Sequence, residues 1–315
     1  MAYKILAVCN NKGGVGKTLV SKMIAEYAAL IAGLRVLLID LDPQCNLSRR
    51  YLAMEFDSNN SGNMTPPRHP DWTPEEQDWN GYSDSADIWM KDMYVTYDTD
   101  IPNLEILPGH AEKLTDIELV RKEEVYAAVV KRLREDLRHP QNSQDYDLVV
   151  IDTRPSKGPL VQAALHAATD LLIPSQMEEP SIEGLYGMWA LRNDENIGRA
   201  KDDELNLVGI LANLMDMRTS LHRDYWNEIR ENPNLGGFVL PEKLHTWTDF
   251  KLTMAVDETV DGRPDLFRVN SVFRHPPTSK IRVQGEKVCH AVLHRMGLPI
   301  KVATSINTQP AEALA

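Results

Sequence analysis

Residues 3–18 read YKILAVCNNKGGVGKT: an apolar run, two asparagines, then a glycine-rich segment closed by Lys-Thr. The unalternated run at 3–9 predicts a strand buried on both faces. Behind the glycines, Val20, Met23, Ile24, Tyr27, Ala28 and Ile31 recur at helical spacing over 18–32, and Gly33 supplies a stop. Residues 35–39 (RVLLI) are strand-like again. Strand, helix and strand with short joins predict a parallel βαβ unit. In the turn between the first two, glycines let backbone N–H groups converge on phosphate oxygens, because no Cβ blocks their approach. The helix N-terminus adds partial positive charge. Lys17 can then reach the β- and γ-phosphates, and the Thr18 hydroxyl can ligate Mg²⁺. A chance match at seven fixed positions is on the order of 10⁻⁹ per starting residue, so residues 11–19 (Asn11, Lys12, Gly13, Gly14, Val15, Gly16, Lys17, Thr18 and Leu19) are read as the nucleotide-binding loop.

Outward from this unit the rhythm continues. Residues 104–107, 148–151, 171–174 and 207–211 are further apolar strand candidates. Helical spacing covers 181–196, 219–231 and 280–296, and Thr115 with Glu118 predicts a capping box opening a long helix to about Arg138. The pattern predicts a doubly wound α/β fold, a mostly parallel sheet flanked by helices. One P-loop domain over 1–303 is expected, with an irregular insertion at 55–100 and a flexible tail at 304–315. The insertion is rich in Pro, Asn and Ser, yet Trp72, Trp79 and Trp89 imply that part of it packs on something. Residues 255–279 also read as irregular.

The chain has 315 residues, 43% hydrophobic and 25% charged, the balance of an ordinary globular protein. Its net charge of −12 excludes a wholly basic nucleic-acid-binding surface. The acidity is local: 11 Asp and Glu against two bases in 55–100, whereas 218–301 holds 13 Lys and Arg against 10 acids. Three scattered cysteines, Cys9, Cys45 and Cys289, form no Cys-x-x-Cys pair, so neither a zinc site nor a disulfide frame is expected. The N-terminus lacks a signal-peptide layout. No stretch approaches the ~20 apolar residues that span a bilayer. A cytoplasmic protein is expected.

Two more segments carry acids at strand ends. Asp40 and Asp42 lie at i and i+2 in Ile-Asp-Leu-Asp-Pro-Gln, which on a strand aims both at the carboxyl edge where such sheets bind ligands. Residues 148–152, LVVID, fit a Walker B strand whose Asp152 holds Mg²⁺.

Together these residues resemble the deviant Walker A ATPases of the ParA/MinD group, whose fingerprint is KGGVGKT; the nearest likeness is to ParA/Soj-type partition ATPases. It extends discontinuously over 3–54 and 101–240. The resemblance implies that Lys12 reaches across a homodimer interface to the partner's ATP, that Asp42 orients the attacking water, and that Asp40 supports Mg²⁺ and its waters. It implies that Asn213 reads adenine, and that 176–185 (QMEEPSIEGL) lies near the dimer and nucleotide interface. It implies non-specific DNA binding by the ATP dimer, nucleoid association, a centromere-binding ParB-like adaptor, and a role in segregating plasmid or chromosomal DNA. Arg218, Arg223, Lys251, Lys280 and Arg282 are candidates for phosphate contacts with DNA.

The sequence departs from the family at Cys45, Leu19 and Arg154, where Gly, Thr and Pro are usual; Arg154 puts the turnover rate in question. Membrane action in the manner of MinD would want a basic amphipathic C-terminal helix, and the tail TSINTQPAEALA has no basic residue. An iron–sulfur carrier would need cysteine ligands that are missing. A small-molecule phosphotransferase or amidoligase, a positioning ATPase for a non-DNA cargo, and an ATP-locked scaffold stay open.

Overall fold

The structure is a computed structural model, and it describes residues 3–300 other than 58–62, 76–78, 92, 140–144, 247 and 257. In chain order its elements begin with β1 (Lys4–Val8), α1 (Lys17–Leu30), β2 (Val36–Leu41), β3 (Glu55–Asp57), β4 (Asn63–Thr65), α2 (Asp87–Met90), β5 (Tyr97–Asp98) and β6 (Leu104–Leu107). They continue with α3 (Ala111–Glu118), α4 (Glu123–Leu137), β7 (Leu148–Thr153), α5 (Pro159–Ala167), β8 (Asp170–Ser175), α6 (Glu179–Ile197) and β9 (Asn206–Met215). The last are α7 (Ser220–Glu231), β10 (Val239–His245), α8 (Thr248–Leu252), β11 (Thr259–Val260), β12 (Arg263–Phe267) and α9 (Lys280–Arg295).

Eight strands form one sheet in the order β10-β9-β8-β1-β7-β2-β6-β5. All neighbours are parallel except β5, which runs antiparallel to β6 at the edge. The central strands are apolar without alternation because both faces are covered. Leu6, Val8, Leu38 and Val150 point to one layer with α1 and α9, whereas Ile5, Ala7, Ile39 and Ile151 point to the other with α4, α5 and α6. The doubly wound expectation holds. β1 lies between β7 and β8, so the chain leaves its carboxyl end at the point where the winding reverses, the position at which such sheets bind ligands.

Three expectations need correction. Thr115 and Glu118 do not open a helix: α3 already starts at Ala111 after an extended His110, so Thr115 lies inside it and its hydroxyl donates back to the Ala111 carbonyl at 2.7 Å. The long helix is two, broken at 119–122, and Glu118 ends the first with its carboxylate bonded to Ser156 and Leu160. The insertion is only partly irregular. β3 and β4 form an antiparallel hairpin, the Trp72 and Trp79 indoles donate to the carbonyls of Trp79 and Tyr82, and Ser83, Asp84, Ser85 and Asp87 are buried. Asp84 and Asp87 both pair with Lys113 on α3, which neutralises charge that composition alone reads as solvated. Residues 255–279 contain the β11–β12 hairpin. The tail at 304–315 lies outside the described residues.

Candidate nucleotide site

Residues 13–19 leave β1 and wrap into α1 around a cavity of about 420 Å³. Gly14 and Gly16 adopt φ of 81° and 83°, a region that a side chain disfavours. At Gly16 space is also closed, since a Cβ would sit 2.2 Å from Asn213 Nδ2. Val15 is fully buried and anchors the loop. Lys17 is 7% exposed, and its Nζ donates to the Lys12 carbonyl at 3.2 Å. Burial lowers its pKa, and the nearby Asp152, Cys9 and Asp42 oppose that shift. Lys12, by contrast, is exposed, its N–H held by Asn10 Oδ1 at 2.9 Å. The two lysines of one loop thus face different surroundings.

The loop's entry is clamped by α6. A Cβ on Gly184 would lie 2.4 Å from Asn10 Oδ1 and 2.6 Å from Asn11 Oδ1, and one on Gly187 would lie 2.9 Å from Asn11 Nδ2. Glycines at i and i+3 share a helix face, so the segment at 176–185 meets the loop through backbone. That spacing was present in the sequence and is its readable signal.

The acids divide into three roles. Asp152 ends β7 in register with Asp40 on β2. Its Oδ1 accepts from Ser21 Oγ at 3.0 Å, whereas its Oδ2 is buried without a hydrogen-bond partner. Burial first, then the Asp40 charge, push its pKa up to about 8 against hydrogen bonds from Thr18 and Ser21. Asp40 is placed behind the cavity. Its Oδ2 accepts from Ser48 N at 2.9 Å and Ser48 Oγ at 2.7 Å, and its Oδ1 accepts from Asp42 N at 3.1 Å. Burial lifts it to about 6. Asp42 falls just past β2, so the two acids do not share a strand face as the i, i+2 spacing suggested; Asp42 alone lines the cavity. Asp40 shapes the 42–48 turn through Ser48 and Asp42.

Asn213 is 1% exposed, Nδ2 donates to the Val15 carbonyl at 2.7 Å, and Oδ1 accepts from Leu214 N. Its amide braces the loop, with one N–H and one lone pair beyond these two bonds.

A divalent cation fits the remaining donors. Asp152 Oδ2 lacks a partner beside the Thr18 hydroxyl. Among the described residues no group of three or more His, Cys, Asp or Glu could hold a metal alone. That is the donor set of Mg²⁺, which takes few protein ligands and completes its shell with phosphate and water oxygens.

The far wall was not anticipated. Gln44, Asn46, Arg50, Thr153, Pro155 and Met254 line it. The turn after β7 is held by Glu118: Ser156 Oγ donates to Oε1 at 2.8 Å, Leu160 N to Oε2 at 3.4 Å, and Arg154 Nε lies 3.8 Å from Oε1 without a hydrogen bond. The unusual Arg154 thus gains a carboxylate from α3.

The five basic candidates are spread over α7, α8, α9 and the turn before α7, with only Lys280 and Arg282 sharing an element. Arg218 is paired with Asp216 at 2.7 Å, and Arg282 with Glu286 at 2.8 Å. Arg223, Lys251 and Lys280 are exposed. No helix of the described residues is long and apolar enough to cross a membrane.

A family model described as an AAA domain, AAA_31, matches residues 3–206. The chromosome-partitioning ATPase Soj of Thermus thermophilus is 30% identical over 229 residues, 71% of this chain and 75% of that protein. McdA of Cyanothece superposes with a TM-score of 0.67 over 94% of this chain and all of that one; at 18% identity this shows the fold. Cobyrinic acid a,c-diamide synthase of Mycobacterium smegmatis, solved with ADP and magnesium, is 28% identical with a TM-score of 0.55 over 74% of this chain and 84% of its own. With the loop, the acid-tipped strands and the strand order in place, the chain belongs to the ParA/Soj-type partition ATPases of the P-loop AAA-domain family.

Proposed function

We propose that the chain is an ATP-dependent dimerising ATPase that partitions plasmid or chromosomal DNA. ATP binds with its phosphates on the backbone amides of 13–18, Lys17 supplies charge from within, and Leu19 packs beside the loop. Thr18 and Asp152 would hold Mg²⁺, which when bound neutralises charge on the β- and γ-phosphates. Asp42, the acid facing the cavity, aligns the attacking water. The observation that carries the dimer is the exposure of Lys12, directly before the cavity-lining Gly13, while Lys17 is buried within. An exposed lysine there can serve a second copy's nucleotide, so ATP becomes the bridge of a two-fold homodimer. Losing the γ-phosphate removes that bridge, as in other nucleotide switches.

The ATP dimer binds DNA non-specifically on the nucleoid. Arg223, Lys251 and Lys280 are the better-placed candidates, because Arg218 and Arg282 already have carboxylate partners. A ParB-like adaptor stimulates slow hydrolysis. Residues 1–303 act as one domain in this cycle.

Light scattering on Asp42→Ala with ATP and Mg²⁺ should show a dimer that is monomeric with ADP and reverts when Lys12→Ala is added. An unchanged particle size with either nucleotide rejects the dimer. The same ATP-bound variant should retard duplex DNA at low salt, and no retardation rejects the DNA arm.

A further inference from the structure

The cavity contains a cation that the phosphate loop does not supply. Arg50 closes the short 3₁₀ turn Ser48–Arg50 and lines the same space as Lys17 and Thr18. Its flanking residues are fixed. Ser48 and Tyr51 are fully buried, the first bonded to Asp40 and the second donating its hydroxyl to Glu26 at 3.0 Å. Just beyond, Phe267 N donates to the Tyr51 carbonyl at 2.7 Å, and Ala53 N to the Asp265 carbonyl at 2.8 Å. The guanidinium is fixed in turn: Nε donates to the Asn46 carbonyl at 3.2 Å and Nη1 to the Met254 carbonyl.

A guanidinium carries five N–H donors in a planar fork, so these two bonds leave three. Among the described residues no carboxylate lies within ion-pair distance of Arg50, although it is half-buried and has Arg49 as its neighbour. Taking an unpaired positive charge partly out of water costs free energy unless an anion accompanies it. A rigid fork with spare donors facing a phosphate cavity matches an oxyanion in geometry and in charge.

We propose that Arg50 is a phosphate-binding residue of the nucleotide site, gripping the phosphate chain within one subunit from the 42–50 turn. This rests on the reading that the cavity takes ATP. It adds a cation from the 42–50 turn, so the turn that carries Asp42 is itself drawn to the nucleotide.

The experiment titrates wild type, Arg50→Gln and Arg50→Lys with Mg·ATP, Mg·ADP and AMP, and records the melting temperature of each protein without nucleotide. Arg50→Gln should weaken ATP by about 10- to 100-fold, the range expected for losing a charge-assisted hydrogen bond. The loss should shrink from ATP to AMP, and Arg50→Lys should recover part of it. Equal ATP affinity in wild type and Arg50→Gln, with a lower melting temperature, overturns the proposal and leaves Arg50 as a strap to the Met254 carbonyl. Failure of wild type to bind ATP overturns the nucleotide reading itself, so the two failures are distinct. If Arg50→Gln does not fold, the wild-type protein decides: ATP should shield Arg50 from phenylglyoxal, mapped by peptide mass spectrometry, and AMP should shield it less. Modification of Arg50 at the same rate with and without ATP overturns the assignment.

Discussion

The two walls of the phosphate cavity are built in opposite ways. The loop wall, residues 11–19, is continuous in sequence and its shape is local, set by positive φ at Gly14 and Gly16 and by the start of α1. The far wall gathers the 42–50 turn, Thr153, Pro155 and Met254 from three distant segments. Each is placed by a polar contact at least partly withdrawn from solvent: Ser48 on Asp40, Ser156 on Glu118, Arg50 on Met254. A wall made of backbone amides binds phosphate whatever surrounds it. One made of borrowed side chains can be retuned, because its geometry depends on contacts that change one residue at a time. Affinity should therefore be governed from the loop wall with Arg50 added to it, and rate from the turn after β7.

The strongest way to break that division is Lys17→Ala. Removing the buried ammonium should reduce ATP affinity by about 100-fold, since charge-assisted bonds to phosphate are the strong ones. A titration with fluorescent ATP that shows less than a few-fold loss would mean the loop is not the principal binding wall.

Glu118→Gln sharpens the other half. It keeps an acceptor for Ser156 but removes the charge facing Arg154. Loosening the 153–160 turn should lower turnover while the ATP dissociation constant stays unchanged. Stability should fall by about 1–3 kcal/mol, the cost of disturbing a buried charged group. Equal loss of binding and turnover would put Glu118 on the affinity side.

The smallest effect is on pH dependence. Asp152 and Asp40 have native pKa values pushed up to about 8 and about 6, above the roughly 3.9 of an unfolded Asp. Between those values the native state holds more protons than the unfolded chain, so this contribution is complete below about pH 4 and is lost as pH rises through 6 and then 8. The melting temperature of the nucleotide-free protein should fall from pH 6 to pH 8.5, and Asp152→Asn should flatten the slope. An identical slope in that variant would contradict the assignment.

Much of this site was readable before any coordinates. The loop from Asn11 to Leu19 and the Asp42 turn follow a strand in sequence and Asp152 lies near the end of one, and a strand, once recognised, delivers such residues to a known edge. The errors arose where a side chain's partner is remote. Thr115 and Glu118 have capping-box spacing, yet Glu118 serves Ser156 and Leu160 from another element. Asp40 looks like Asp42 in sequence, and only Ser48 distinguishes them.

From its residue order alone the chain determined its α/β layering, its family and the phosphate loop, because apolar runs, glycine placement and strand-to-turn succession act over a few residues. Which carboxylate faces the cavity, which cation shares it with Lys17 and what holds the turn after β7 were decided only in three dimensions. Those assignments depend on neighbours up to 204 positions apart, as between Arg50 and Met254, and local pattern carries no information about which distant carbonyl or carboxylate a buried donor will meet.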